Sequence, residues 1–409
     1  MKKTLYILTL AAICFSACKP SVVVSEEENS TRDLWPSVVD SLIMEQNEFS
    51  LNLFQQVISA EKGNVFFSPI SISLACGLLA DGAEGETQAE IIAALGMSDL
   101  TQQDLKDYFK ALMKGYQPFG RSPKCVLSNA VWLNKGLKLQ SSFKNDAQKY
   151  YDAYVRQLDL SNPKSANAVN RWAKKKTKGM IPEVCDPADF NEDLQLMLTN
   201  SVYFKDEWYS QFVLDYTFKD TFWVTPKRPV IVNMMMQEYA FPCAVLDSVK
   251  MVRLFFKDSE YCMDIILPEM GVSIEQVSAH LTAEKLAAWT DSLTMDNEVL
   301  LCLPRFAARF RHLFNEDMQK LGMQKAFLPG TELPGICGND SLFVSSIKQN
   351  AFIRVNEYGA EAAAATCIDE YCFAIPTEVF VTRPFLFFIR DVQKGTILFA
   401  GKIVNPTIY

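Results

Sequence analysis

Between residues 357 and 376 the chain runs Glu-Tyr-Gly-Ala-Glu-Ala-Ala-Ala-Ala-Thr-Cys-Ile-Asp-Glu-Tyr-Cys-Phe-Ala-Ile-Pro, and no other stretch narrows the fold as much. It separates two strand-like runs, Phe352-Ile-Arg-Val355 and the apolar segment 379–390. Connections in compact domains are usually about 4–6 residues long, and much longer ones are functional or disordered. Its alanines favour helix, but Gly359 interrupts the join. With a period of two, Ala360, Ala362, Ala364, Thr366 and Ile368 share one face. Glu361, Cys367 and Asp369 fall opposite, and Glu370 breaks the alternation near the far end. A strand with small side chains on one face could enter a packed sheet with little steric resistance. Periodicity leaves that reading open beside an exposed helix or loop.

Composition excludes several functions. The chain has 409 residues, 49% hydrophobic and 22% charged, which is ordinary globular arithmetic. With 48 acidic against 40 basic side chains and a net charge of −8, nothing draws it to nucleic acid. Its two histidines, His280 and His312, sit in no recognisable motif, and no G-x-S-x-G elbow is present. No catalytic residue, metal or cofactor is expected. The basic run Arg171, Lys174, Lys175, Lys176 and Lys178 reads as a solvated helix face, and the negative overall charge argues against a polyanion site. No C-x-x-C pair occurs. Cys76, Cys262 and Cys302 lie in apolar runs and read as small core residues.

The first residues read as an export signal. Lys2 and Lys3 precede an apolar run from Leu5 to Phe15, followed by Ser16, Ala17 and Cys18. The ending resembles a bacterial lipobox, which implies removal of residues 1–17 and lipidation of Cys18; a plain cleavage after Ala17 is the alternative. Residues 18–33 then form a tether, since Ser25–Asp33 is polar and acidic. The expected location is the cell envelope, with the protein held to a membrane through that lipid.

From 34 to 409 one α+β domain is expected. Helical spacing covers 38–96, 102–115, 141–151 and 164–176, and strands are read at 125–133, 194–204, 249–256, 260–267, 299–309, 342–356, 379–390 and 396–404. Lys394-Gly395 marks a hairpin between the last two.

Motifs in order along some 340 residues identify a resemblance to the serpins, the loop-inserting protease inhibitors. They are Asn64-Val-Phe-Phe-Ser-Pro-Ile-Ser71, Gly82-Ala83 with Gly85 and Thr87, Leu127-Ser-Asn-Ala-Val, Thr199-Asn-Ser-Val-Tyr-Phe-Lys205, Leu303-Pro-Arg-Phe306, Arg383-Pro-Phe-Leu-Phe387 and Ile397-Leu-Phe-Ala-Gly401 with Asn405-Pro406. The resemblance implies one domain of large β-sheets and surrounding helices with an exposed reactive-centre loop at about 357–376. It implies a monomer that catalyses nothing. A protease attacks the loop and forms an acyl-enzyme; the cut loop then inserts as a new strand and traps the enzyme.

The resemblance also assigns residues. The hinge comprises Glu357, Gly359, Ala360, Glu361, Ala362, Ala363, Ala364, Ala365 and Thr366, in which Ala362 through Ala365 is the small-residue run that inhibitory members share. A non-inhibitory carrier or chaperone role is the alternative. Counting sixteen positions from Glu357 places the reactive bond at Phe373–Ala374, with Tyr371 a second candidate. An aromatic there suits chymotrypsin-like or subtilisin-like serine proteases. Ser68, Ser71 and Asn200 match the polar cluster where the sheet opens, with Gln349 in place of the family's histidine, and Trp208 matches the tryptophan under the top of the sheet. Cys367 and Cys372 would lie about 16 Å apart on one strand, too far for a disulfide, so bridging them would forbid full insertion. Two uncoupled thiols is the simpler reading.

Overall fold

The structure, a computed structural model, describes residues 42–116, 125–295, 298–338, 342–360 and 376–408. The elements run α1 (Ile43–Ala60), β1 (Val65–Phe67), α2 (Pro69–Asp81), α3 (Gly85–Ala94), α4 (Gln102–Gly115), β2 (Cys125–Asn134), α5 (Ser141–Tyr151), β3 (Tyr154–Leu158) and α6 (Ala166–Lys176). Then come β4 (Leu196–Phe204), β5 (Asp206–Glu207), β6 (Phe218–Thr225), β7 (Arg228–Tyr239), β8 (Cys243–Val245), β9 (Val249–Phe255), β10 (Tyr261–Pro268), α7 (Ile274–Ser278) and α8 (Ala283–Asp291). The chain closes with β11 (Val299–Pro304), β12 (Phe306–Leu313), α9 (Asn315–Lys320), β13 (Val344–Asn356), β14 (Gly359–Ala360), β15 (Thr377–Phe380), β16 (Phe385–Asp391) and β17 (Ile397–Ile403).

Three sheets result. One orders β1-β17-β16-β10-β9-β8 and another β15-β11-β7-β6. The third, which carries the site, orders β3-β2-β4-β13-β14-β5, with β12 on the other side of β13. Helix α2 crosses behind this third sheet. It has no polar face because every residue but Asp81 is buried, as expected of a helix enclosed on all sides. Pro69 opens it where no N–H is needed. A Cβ on Gly77 would stand 2.0 Å from the Phe109 ring, so glycine is what lets α4 pack this closely.

The sequence reading needs correction in four places. The helical span 38–96 is interrupted by β1, because Val65-Phe-Phe67 pairs with Lys402, Gly401 and Ala400. The strand read at 299–309 is two strands in two sheets: β11 pairs with β7 and β15, and β12 with β13. Pro304 ends the first ladder. The run 379–390 likewise divides into β15 and β16 around Pro384. The hairpin β6–β7 and short strand β3 carry exposed polar positions and were missed. Other expectations stand: Lys394-Gly395 is a turn with Gly395 at φ +72°, Cys76, Cys262 and Cys302 are buried, and the five cations at 171–178 are exposed.

Buried charge holds the back of the fold. Asp264 on β10 is fully buried and takes both Arg253 nitrogens at 2.6 and 2.8 Å and Arg390 Nη1 at 3.1 Å. Burial alone would raise its carboxyl pKa, but Arg253 and then Arg390 more than offset that, leaving it below the ordinary range. A carboxylate more acidic folded than unfolded stabilises the protein above its unfolded pKa of about 4, and that contribution is lost as pH falls through the folded value. Asp264→Asn should cost about 3–5 kcal/mol, because two guanidinium groups lose their counter-ion. Urea melts at neutral pH should show the loss, and the variant should lose less stability than the parent on acidification.

Candidate functional site

The chain turns sharply at the end of β13. Residues 357–358 form the turn, and Gly359-Ala360 comes back as β14, antiparallel to Asn356 and Val355 on one side and to Glu207 and Asp206 on the other. Gly359 has φ +142°, and a Cβ there would lie 2.2 Å from the Asp206 carbonyl oxygen. Only glycine fits this corner. Ala360 is fully buried.

Below this two-residue wedge the sheet is closed. β4 and β13 pair directly in parallel from Val344↔Leu196 up to Phe352↔Tyr203. Val355 and Asp206, both partnered by Ala360, keep the offset of the β4–β13 pairs. The ladder therefore parts at the top without slipping register, and β14 lies between its two edges there.

The turn is pinned by side chains. The Glu357 carboxylate, 1% exposed, accepts Arg305 Nε at 2.6 Å and Thr217 Oγ1 at 2.5 Å. The Glu357 carbonyl accepts Phe212 N–H at 3.0 Å. Trp208 is 2% exposed and stacks on Phe256 at 4.6 Å. Its indole N–H donates to the Asn356 carbonyl, and its backbone N–H to that of Tyr358, both at 2.9 Å. Arg305 and Thr217 are partners that motif reading did not single out; the signal was a basic side chain next to Pro304, between two strands.

Midway down the seam the expected polar cluster is assembled. Gln349 faces Asn200 across the β4–β13 pair. Gln349 Oε1 accepts Ser68 N–H at 2.6 Å, and its Nε2 donates to the Ser68 carbonyl at 3.1 Å. Asn200 Nδ2 donates to the Ser71 carbonyl and to Asn129 Oδ1. The serines thus contribute backbone groups rather than their hydroxyls, and Asn129, not foreseen, belongs to the cluster. Ser68 Oγ, Ser71 Oγ, Asn129 Nδ2, Asn200 Oδ1, Ser201 Oγ and Ser346 Oγ are buried without a hydrogen-bond partner among the described residues. Buried polar atoms left unpaired cost about 1–3 kcal/mol each, so the closed seam is poorly satisfied.

On the outer face the segment 177–195, which joins α6 to β4, straps the seam. Its β4 side is apolar, where Ile181, Val184 and Phe190, with Trp172 of α6, pack with Trp132 and Met197. Its β13 side is polar: Lys348 pairs with Asp189 at 2.8 Å, Arg311 with both Asp186 and Asp189, and Asn350 Nδ2 donates to the Glu183 carbonyl. Burial would raise the Asp189 carboxyl pKa, but Lys348 and its other partners hold it below the ordinary range. Parting β4 from β13 must break these links. Asp189→Ala should speed hydrogen exchange of the β13 amides along the seam by about fivefold, the value of one or two half-exposed ion pairs.

The reactive bond Phe373–Ala374, the hinge positions Glu361–Thr366, Tyr371, Cys367, Cys372 and Cys18 lie outside the described residues. Among the described residues no cluster has metal-ligand composition.

Comparison with known proteins agrees with this geometry. The family model described as serpin (serine protease inhibitor) matches residues 44–406. The leukocyte elastase inhibitor of Sus scrofa is 32% identical over 381 residues, covering 90% of this chain and all of that protein. Antithrombin-III of Homo sapiens is 30% identical over 408 residues, covering 95% and 88%. Among solved structures, the thermophilic serpin tengpin in its native state superposes with a TM-score of 0.82 at 26% identity, over 89% of this chain and 94% of that one. Human thyroxine-binding globulin does so at 0.84 and 25%, over 90% and 99%.

Proposed function

The chain belongs to the serpin family, described as serine protease inhibitors and including the leukocyte elastase inhibitor among its relatives, and on that premise we propose that it inhibits proteases irreversibly by inserting its cut loop into the β4–β13 seam. One observation carries this reading: β14 already occupies the top of the seam, with Ala360 fully buried, while β4 and β13 still pair below it. Insertion would extend β14 downward.

Continuing the register through both neighbours gives each loop residue an address. Ala362 would sit between Ile353 and Phe204, Ala364 between Ala351 and Val202, and Ile368 between Ile347 and Leu198. All six flanking side chains are buried, so the small-residue face of the loop matches the core side. Thr366 would arrive between Asn200 and Gln349, bringing a hydroxyl to the under-satisfied polar cluster. Insertion from 361 to the bond at Phe373 carries an attached enzyme on the order of 40 Å. β15 stays behind in its own sheet, paired to β11.

The preferred targets are chymotrypsin-like or subtilisin-like serine proteases, read from Phe373. The test incubates chymotrypsin with the protein lacking residues 1–18 and resolves the products on a denaturing gel with mass spectrometry. Denaturation is needed because β16 and β17 would hold the released peptide in the core. The expected result is a covalent adduct with a C-terminal peptide beginning at Ala374. Cleavage without adduct, with chymotrypsin and with elastase-, subtilisin- and papain-like enzymes alike, would overturn it in favour of a non-inhibitory role. We assign the N-terminus to export and lipidation at Cys18, placing the trap at a bacterial envelope; Cys18→Ser should move the full-length protein out of the membrane fraction.

A further inference from the structure

Three cations stand together on the outer face of the site sheet, beside the top of the seam. Arg309 and Arg354 are exposed and lie over the Phe352 ring, with guanidinium carbons 5.4 and 5.6 Å from its centroid. Lys205, also exposed, follows β4 on the other side of the seam. None of the three has an acidic partner among the described residues. Of the nearby carboxylates, Glu207 pairs with Lys257 and Glu357 with Arg305, and Asp206 is buried with its Oδ1 accepting the Glu207 N–H. In a protein of net charge −8 this is an unusual gathering of unpaired positive charge.

The register says what it faces. Ala360 pairs with Val355 and Asp206, so the next residue of the loop, Glu361, would enter between Arg354 and Lys205. Faces also agree. Val355 and Ala360 are buried against the core, whereas Arg354 is exposed, so an inserted residue 361 would come to the outer face with the cations. Like charges on neighbouring strands are unfavourable and opposite charges stabilise the pair. The seam is thus electrostatically mismatched at this level until a carboxylate arrives.

We propose that Lys205 and Arg354, with Arg309 beside them, form a receiving site for the Glu361 carboxylate of the cut loop, making the first step of insertion an ion-pair capture. These are positioning residues; they touch no reacting atom. The inference rests on the inhibitory reading above. Its consequence is kinetic, because insertion competes with hydrolysis of the acyl-enzyme, and a slower first step lets more loops be cut without trapping.

The test is a charge exchange. Glu361→Lys and the double variant Lys205→Glu/Arg354→Glu should each raise the number of inhibitor molecules consumed per chymotrypsin trapped by about fivefold, the scale of two cross-strand pairs. The triple variant, with all three charges reversed, should return close to the parent value. Uncut forms of all variants should melt with the parent, which separates a positioning role from misfolding. A triple variant no better than the singles would overturn the proposal. If the parent itself traps nothing, the inhibitory reading fails, and a second measurement still decides this one. After nicking the loop with an untrapped protease, the rise in melting temperature should be smaller in Glu361→Lys and restored in the triple variant. Equal rises in all forms would overturn it.

Discussion

Ala362→Arg should turn the protein from a trap into a substrate. On insertion as proposed, the register of β14 would bring this side chain between Ile353 and Phe204, 0% and 1% exposed, in the layer against the core. An arginine there would have to bury its charge unpaired, which costs at least about 3 kcal/mol. That is enough to favour hydrolysis over trapping by more than about a hundredfold. The loop is still cut, because residue 362 lies far from Phe373 along the chain. The measured outcome is complete cleavage with almost no covalent adduct, and a cut form that melts no higher than the uncut one. Ala363→Gln is the control. On insertion its neighbours would be Phe352 and Tyr203, on the face that also carries the exposed Arg354 and Lys205, where a long neutral polar chain can extend past them to solvent, so the adduct should persist. If both variants trap equally well, the insertion register is wrong.

Glu357→Lys should damage the resting protein itself. The carboxylate is buried against Arg305 and Thr217, and a lysine would set a second cation against the first with no counter-ion. Breaking a buried pair in this way costs about 3–5 kcal/mol, a large fraction of the total stability of a domain. The turn at 357–358 also carries the carbonyls that hold Phe212 and Trp208. Freeing it would loosen the wedge and expose the seam edges, a template for pairing with another chain. The expected result is a lower melting temperature and aggregation on mild heating. Glu357→Gln, which keeps the acceptor oxygen but not the charge, should fall between parent and lysine variant. A lysine variant with unchanged melting behaviour would mean that the Arg305 contact contributes little.

The strap and the polar cluster act on the same seam from opposite faces. The strap holds the seam through ion pairs that the proposed insertion would have to break, while a new strand would offer partners to the under-satisfied asparagine and serine groups. Gln349 keeps both hydrogen-bonding roles without a titratable group, so opening should show little of the pH dependence that a histidine at this position would confer.

Much of this was legible in the residues alone. The alternation of small side chains after Gly359 left a strand open beside a helix or loop, and the ordered motifs pointed to the family and its large sheets. The family resemblance, not any local spacing, grouped Ser68, Ser71, Asn200 and Gln349, and the structure places them side by side although 281 positions separate Ser68 from Gln349. Other features left no local trace. Whether 299–309 is one strand or two depends on which sheet each half joins, and Arg305 becomes the partner of Glu357 only because the break between them points it there. Asn129 and the strap contacts of Lys348 and Arg311 arise from chain crossings that no spacing rule encodes.

The chain alone determined the size and the spacing of the side chains after Gly359, because these are local properties of the sequence. That Gly359-Ala360 lies as a strand between β13 and β5, and which residues would flank its continuation, were decided by tertiary structure. Register between strands is set by pairing across distant segments, and burial and electrostatic partnership exist only once those segments meet.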